Sequence, residues 1–350
     1  MSEAKKRKVH SSKFKAKEGL LVSIIIPFQQ ESQYLAETLR YLDRLNYGAF
    51  EVVLLPDEEM SREYLDAHTA ISRPVIVIPT GPVSPAIKRD KGVEACSGDV
   101  VAFIDDDAYP DSAWLDAALR YFDDPGVAAV GGPQLTPESD GFWQQVSGAM
   151  FLSPLNGGAV CRYWPCSGVR DVDDWPSVNL VVRRQDFLAI GGFDSSYWPG
   201  EDTKLCHDLV SRGRRIVCAG DALVYHHRRA GFRRHMRQVG NYGLHRGHFA
   251  RVFPGTSLRP GYIMPSLFFL FVTLGWVGLL LSRSTAAMWI VLASIYGAAQ
   301  LFSAWTVYGR TKRFAVSLMT IPYLTATHFW YGWRFLHGFF SFSLKSSLGR

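Results

Sequence analysis

Acidic residues are missing from the last third of this chain. Asp221 is the final Asp or Glu, and the 129 residues after it hold 15 Lys and Arg without a single carboxylate side chain. Residues 1–221 carry the other 23 basic residues and all 32 acidic ones, so the formal charge is −9 up to that point and +15 beyond it. Such asymmetry excludes a simple soluble domain, whose surface mixes both signs. Cysteine is scarce: Cys96, Cys161, Cys166, Cys206 and Cys218 are odd in number and form no CxxC. That excludes a zinc ribbon and a disulfide framework, and it implies reduced thiols. The glycine fingerprints of nucleotide binding are absent too. Neither GxGxxG after the first strand-like run nor GxxxxGK[ST] anywhere is present, so a dinucleotide oxidoreductase and a P-loop NTPase lose their phosphate cradle. Seven Lys and Arg among the first 17 residues precede LLVSIIIPF, but that run is short and lacks a small-residue cleavage site. Residues 1–19 are therefore expected to form a basic arm rather than a secretory signal.

Where charge is missing, long apolar runs appear. No Asp, Glu, Lys or Arg falls in the 23 residues between Arg259 and Arg283, the 26 between Arg283 and Arg310, or the 20 between Arg313 and Arg334. At about 1.5 Å per helical residue, roughly 20 apolar residues cross a ~30 Å hydrocarbon layer. Residues 263–281 and 286–308 meet that requirement. Residues 314–333 meet it less well, because they hold Pro322, several Thr and His328, and they suit a re-entrant or interfacial segment too. Two to three transmembrane or re-entrant helices are expected over 261–342, with a tail at 343–350. Lys and Arg counts beside the spans place 1–260 in the cytoplasm, as in a multi-pass protein of a bacterial inner membrane.

The first 130 residues alternate in period. LLVSIIIPF (20–28), FEVVLLPD (50–57), PVIVIP (74–79) and DVVAFIDDD (99–107) are continuous β-rich runs, as strands buried on both faces should be. Between and after them, residues 31–45, 84–96 and 112–122 carry helical apolar spacing. This alternation predicts an α/β fold with a doubly wound, mostly parallel sheet over residues 20–225. Ligands bind such sheets at the carboxyl ends of strands, which directs attention to 29–31, Asp57 and 105–107.

Three clusters carry chemistry. In FIDDDAYP, side chains alternate along an extended segment, so Asp105 and Asp107 share a side while Asp106 faces the other. Two converging carboxylates suit Mg²⁺ or Mn²⁺, although an acidic turn without a ligand has the same text. In WPGEDTKLCHDLVSRG (198–213), Glu201 and Asp202 open an amphipathic helix. They are either dipole-stabilising residues or a general base with its neighbour. Residues 223–253 contain seven Arg, five His and no acid. The 226–260 stretch is either a basic face on an anionic bilayer or a cationic collar for phosphate. A nucleic-acid partner is not expected, because an apolar span begins about ten residues later. Trp164, Trp175 and Trp198 could stack on sugars or simply fill the core.

Taken in order, these segments resemble the family 2 glycosyltransferases of the GT-A fold. VSIIIPFQQE resembles the family's first strand and nucleotide-contacting turn, EVVLLPDE its second strand, AIKRDKGVEACSGDVVAFIDDDAYP the run leading to the DxD motif, and VDDWPSVNLVVRRQDFLAIGGFDSSYWPGED the acceptor-side segment ending in an ED pair. The resemblance implies a metal-dependent, inverting transferase of the hexosyltransferase type. Nucleotide-sugar contacts would fall to Pro27, Glu31, Asp57, Arg89, Asp90, Asp105 and Asp106. Asp105, Asp107 and His226, or less well His227, would hold Mn²⁺ or Mg²⁺, and Asp202 with Glu201 would be catalytic. It also implies a nucleotide-diphospho-sugar donor, a UDP-sugar foremost, and a lipid-linked or polysaccharide acceptor at the bilayer. RQVGNYG (237–243) stands where processive members carry QxxRW, and without the Trp the resemblance is to the non-processive type. A polyprenyl-phosphate glycosyltransferase and an inactive membrane scaffold are the alternatives.

Overall fold

A computed structural model describes residues 19–68, 73–157, 159–197 and 200–341. Residues 1–18 of the basic arm, Trp198, residue 342 and the 343–350 tail lie outside the described residues. Val22–Pro27 (β1) is buried along its whole length and leads through the Ser32 cap, whose Oγ accepts from Leu35 N–H at 3.0 Å, into Gln33–Leu42 (α1). Phe50–Leu55 (β2), Arg62–His68 (α2), Val75–Val77 (β3), Pro85–Ala95 (α3) and Val100–Phe103 (β4) complete the alternating part. Then follow Ala108–Pro110 (β5), Trp114–Leu119 (α4), Val127–Gly131 (β6), Gln134–Leu135 (β7) and Phe142–Met150 (α5). Val169–Val172 (β8), Leu180–Arg183 (β9), Arg184–Ala189 (α6), Glu201–Ser211 (α7), Arg215–Ala219 (β10) and Val224–His226 (β11) finish the α/β part.

The main sheet has the order β3-β2-β1-β4-β9-β6-β10-β8. Strands β3, β2, β1 and β4 are parallel, as are β6 and β10, while β9 and β8 run against their neighbours. Apolar side chains pack on both faces, Trp114 and Phe122 on one and Phe103 and Phe187 on the other. A small second sheet, β5-β11-β7, pairs His226 with Ala108 directly after the acidic triplet. It sets the residues following β4 against a strand more than a hundred positions later.

One expectation about cysteine is corrected. Cys161 and Cys166 form a disulfide, with Cα atoms 5.5 Å apart. A short 3-10 turn at Ala159–Arg162 folds the chain back on itself, so two cysteines five positions apart meet without any CxxC. Cys96, Cys206 and Cys218 are buried thiols.

The C-terminal part is helical: Phe232–Val252 (α8), Pro254–Ser257 (α9), Pro260–Leu281 (α10), Arg283–Thr311 (α11) and Phe314–Phe340 (α12). Gly231, at φ +84°, makes the turn that enters α8. Among the described residues, α10 and α11 are the two helices long and apolar enough to cross a membrane, and little of their surface is covered by protein. α12 continues through Pro322 without a re-entrant break and packs along α8. Their seam is lined by glycine. A Cβ on Gly247 would lie 1.9 Å from Phe335 O, and one on Gly338 would lie 1.9 Å from Leu244 O. The 226–260 stretch is thus not one basic face. His235 and His245 are buried, and Arg233, Arg234 and Arg237 stay exposed.

Candidate active site

The end of β4 and the end of β11 deliver three possible metal ligands. One donor atom each from Asp105, Asp107 and His226 lies within 4.8 Å of the others. His226 Nε2 is 3.1 Å from Asp107 Oδ1. Its other ring nitrogen is 2.7 Å from Gln134 Oε1 on β7. Donation of Nδ1–H to that amide oxygen leaves the Nε2 lone pair aimed at the carboxylates, the tautomer a metal ligand requires. Two hard oxygens and one imidazole suit Mn²⁺, and Mg²⁺ through the carboxylates. The donor set therefore fits the ion. Arg229 Nη1 stands 3.3 Å from Asp107 Oδ2. Burial opposes the ionised form of Asp107, but His226 and Arg229 outweigh it and hold the carboxylate well below its usual range. Asp106 sits between the two ligands, and its carboxyl is pushed up to about 8, by burial and then by Asp107 and Asp105.

Arg89, on α3, joins this group to the ED pair. Its guanidinium reaches Asp105 Oδ1 at 2.8 Å and Glu201 Oε1 at 3.2 Å. Glu201 is only 5% exposed, and burial, with Asp202 next, pushes its carboxyl up to about 7. Asp202 follows in the first turn of α7. Its Oδ1 accepts from Thr203 N–H at 2.8 Å, and it forms no ion pair among the described residues. Burial and then the charge of Asp174 raise its pKa, which makes it a better proton acceptor than an ordinary aspartate.

Asp174, two residues after β8, is a hub behind that carboxylate. Thr203 Oγ1 donates to its Oδ1 at 2.9 Å, Arg162 to its Oδ2 at 2.7 Å, and Arg246 of α8 to the same oxygen. Burial works against the charge of Asp174, and the two guanidinium groups override it and hold the carboxylate low. The disulfide-closed turn carries Arg162, and α8 carries Arg246, so both are anchored beside the ED helix.

The remaining sequence-chosen residues are arranged differently. Pro27 ends β1 in the core. Asp57 Oδ1 lies 2.5 Å from Lys88 Nζ, a buried ammonium that also donates to Phe28 O and Leu55 O at the strand ends. Glu31 accepts from Ser61 N–H at 2.5 Å and Ser61 Oγ at 3.0 Å, tying the turn after β1 to the start of α2. Asp90 does not join the carboxylate group. Its Oδ1 caps the turn at Phe193 N–H (2.9 Å), and burial pushes its carboxyl up to about 6. His227 does not face the metal ligands. Its imidazole is held between Asp140 Oδ1 at 2.5 Å and Glu37 Oε2 at 2.8 Å. Trp175 is buried and donates to Gly132 O at 3.1 Å, so it serves the core.

The model of the family described as glycosyl transferase family group 2 matches residues 100–303, over half of the chain, and that of glycosyl transferase family 2 matches 23–170. The chain belongs to the family 2 glycosyltransferases. A pre-mycofactocin glycosyltransferase of Mycobacterium tuberculosis is 34% identical over 159 residues, which is 45% of this chain and 33% of that protein. This glycosyltransferase thus spans about a third of that relative. A glucosyl-dolichyl phosphate glucuronosyltransferase of Haloferax volcanii is 26% identical over 219 residues, covering 59% of this chain and 68% of the other. Among solved structures, a mannosyltransferase of Pyrobaculum calidifontis in complex with GDP-Man and Mn²⁺ superimposes with a TM-score of 0.52 at 18% identity. The match covers 89% of this chain and 87% of that one, and it shows the GT-A fold.

Sequence reasoning missed Gln134, Lys88, Asp174 and the pairing of Arg246. Gln134 stands in an unremarkable PQL, and nothing in the text signals it. Asp174 had a faint signal, as one of two adjacent acids before a Trp-Pro turn. Arg229 and Arg246 were visible only as members of a basic cluster without assigned partners.

Proposed function

We propose that this glycosyltransferase moves a sugar, with inversion, from a nucleotide-diphospho-sugar to a lipid-linked saccharide at the cytoplasmic membrane surface. One observation carries this reading: Arg89 pairs with Asp105 of the Asp105–Asp107–His226 group on one side and with Glu201 on the other, and Asp202, which has no ion pair among the described residues, follows Glu201 on α7. Asp105, Asp107 and His226 would hold Mn²⁺ or Mg²⁺, which when bound neutralises charge on the departing diphosphate. Asp57 and Glu31, at the ends of β2 and β1, support the turns that would receive the nucleoside. Asp202 takes the proton of the acceptor hydroxyl as its oxygen attacks the anomeric carbon. The bond to the nucleoside diphosphate breaks in the same displacement. The two helices long and apolar enough to cross a membrane, α10 and α11, support a lipid-linked acceptor.

A thermal-shift panel of UDP-, GDP-, dTDP- and CMP-sugars with Mn²⁺ on detergent-purified protein identifies the donor, with UDP-sugars expected foremost. Asp202→Asn should then lower transfer roughly 10²- to 10⁴-fold while leaving donor binding intact. Full activity in that variant would favour the second reading, transfer to a polyprenyl phosphate whose phosphate needs little base catalysis. The exposed Arg233, Arg234 and Arg237 favour that alternative, whereas the Haloferax volcanii relative, whose name gives glucosyl-dolichyl phosphate as acceptor, favours the lipid-linked saccharide. Absence of binding to every nucleotide sugar would leave the inactive scaffold.

A further inference from the structure

Two features outside the reaction centre meet on one flank of the helical part. Helices α8, α10 and α12 border an apolar cavity of about 550 Å³ that is open to the protein surface, lined by Met236, Phe268, Val272, Pro322, Ala326 and Trp330 among others. Helix α10 leaves the catalytic domain at Gly261, which touches Gly157. At about 1.5 Å per residue, Phe268 and Val272 lie about 10 and 16 Å further along. The cavity thus sits in the part of α10 nearer the catalytic domain. A Cβ on Gly240 would lie 2.2 Å from Trp330 Nε1, so this glycine lets the indole seat as the cavity wall.

The second feature is charge. Met236 belongs to the same turns of α8 as Arg233, Arg234 and Arg237, which are exposed and have no ion-pair partner among the described residues. That helix begins just after Arg229, whose guanidinium faces Asp107. Cations beside an apolar cavity complement a molecule with an anionic head and a hydrocarbon tail. Arg side chains match phosphate geometry.

We propose that this cavity seats the hydrocarbon chain of the membrane-anchored acceptor, with its phosphate against Arg233, Arg234 and Arg237. The proposal rests on the lipid-acceptor reading above and adds the place where the lipid is recognised. A tail entering the cavity exchanges one hydrocarbon environment for another, so the gain in affinity from burial is small. The cavity therefore acts by orientation. A seated tail limits where the head can swing and brings its reacting oxygen towards Asp202 more often.

The test compares two probes with the same prenyl-phosphate-linked sugar head, one long-chain and one short-chain, on full-length protein in nanodiscs. The wild type should show a higher kcat/KM for the long chain. Val272→Trp and Ala326→Phe fill the cavity from different helices, and each should reduce that long-to-short ratio at least tenfold. A ratio retained in both variants overturns the proposal while leaving the lipid-acceptor reading standing. A wild type that uses both chain lengths equally well overturns the proposal alone, whereas one that transfers to neither probe sinks the lipid-acceptor reading and the proposal with it. Should one variant fail to fold, the other and a photoreactive long-chain prenyl phosphate decide. Labelling of α10 and α12 that long-chain acceptor competes away supports the proposal. Labelling that bulk phospholipid displaces equally well means an ordinary bilayer lipid and overturns it.

Discussion

Arg89 and Glu201 are 112 residues apart in sequence and 3.2 Å apart in the fold, with the guanidinium almost wholly buried. The same guanidinium holds Asp105. One side chain on α3 thus ties the strand end that carries the proposed metal ligands to the helix that carries the proposed catalytic carboxylate. Removing it strands Glu201 in the interior without a counter-charge. Arg89→Met should cost about 3–5 kcal/mol of stability, measured by chemical unfolding in detergent. Arg89→Lys keeps the charge but not the fork, so it should recover only part of that loss.

Gln134 orients His226 through Nδ1 and touches no other proposed ligand. Gln134→Leu should leave the three donor groups present yet release the imidazole ring. A 10- to 100-fold weaker Mn²⁺ affinity is expected, read from metal titration of donor binding. Asp107→Asn, which removes a proposed ligand, should do more damage than Gln134→Leu in the same titration.

Asp174 supplies charge behind Asp202. It raises the pKa of Asp202 and is itself held ionised by Arg246 and Arg162. Asp174→Asn should lower the pKa of Asp202, so the acidic limb of the transfer-rate profile moves to lower pH. A profile that merely shrinks in height would mean that Asp174 has only a structural role.

Asp90 makes stability depend on pH. Its carboxyl titrates at about 6 in the folded chain against an ordinary 3.8, so the folded state binds more protons between those values. Stability contributed by the protonated group is full below about pH 4 and is lost as pH rises through about 6. Asp90→Asn can still accept from Phe193 N–H and does not ionise. Its unfolding midpoint should therefore be flatter across pH 4–6 than that of the wild type.

The α8–α12 seam tolerates no side chain at Gly247, where a Cβ would lie 1.9 Å from Phe335 O. Gly247→Val should destabilise by about 1–3 kcal/mol or more in detergent unfolding. Gly255, with open space around its Cβ position, is the control, and Gly255→Ala should stay close to the wild type.

Several of these relationships were legible beforehand and others were not. β1, β2 and β4 announce themselves as continuous β-rich runs because both their faces are buried. Asp105 and Asp107 could be placed together because a strand alternates its side chains. Asp90 looked equally eligible beside Arg89, yet its carboxylate accepts from Phe193 N–H while Arg89 faces Asp105 and Glu201, a division that depends on what packs around α3. The basic cluster at 223–253 was visible as charge, but its division into exposed arginines, buried histidines and a glycine seam depends on α12, which lies far along the chain.

Sequence alone determined the chain's local grammar: where strands and helices alternate, where two carboxylates share a side, and where charge disappears long enough for a bilayer. These follow from backbone period and solvent preference, which act over a few residues. Tertiary structure alone decided which distant groups meet: His226 with Asp107, Arg89 with Glu201, Arg246 with Asp174, Cys161 with Cys166. A buried charge requires a partner, but its own neighbourhood in the chain does not say which one, because the sheet order and the helix seam bring the partners together only once the whole chain has packed.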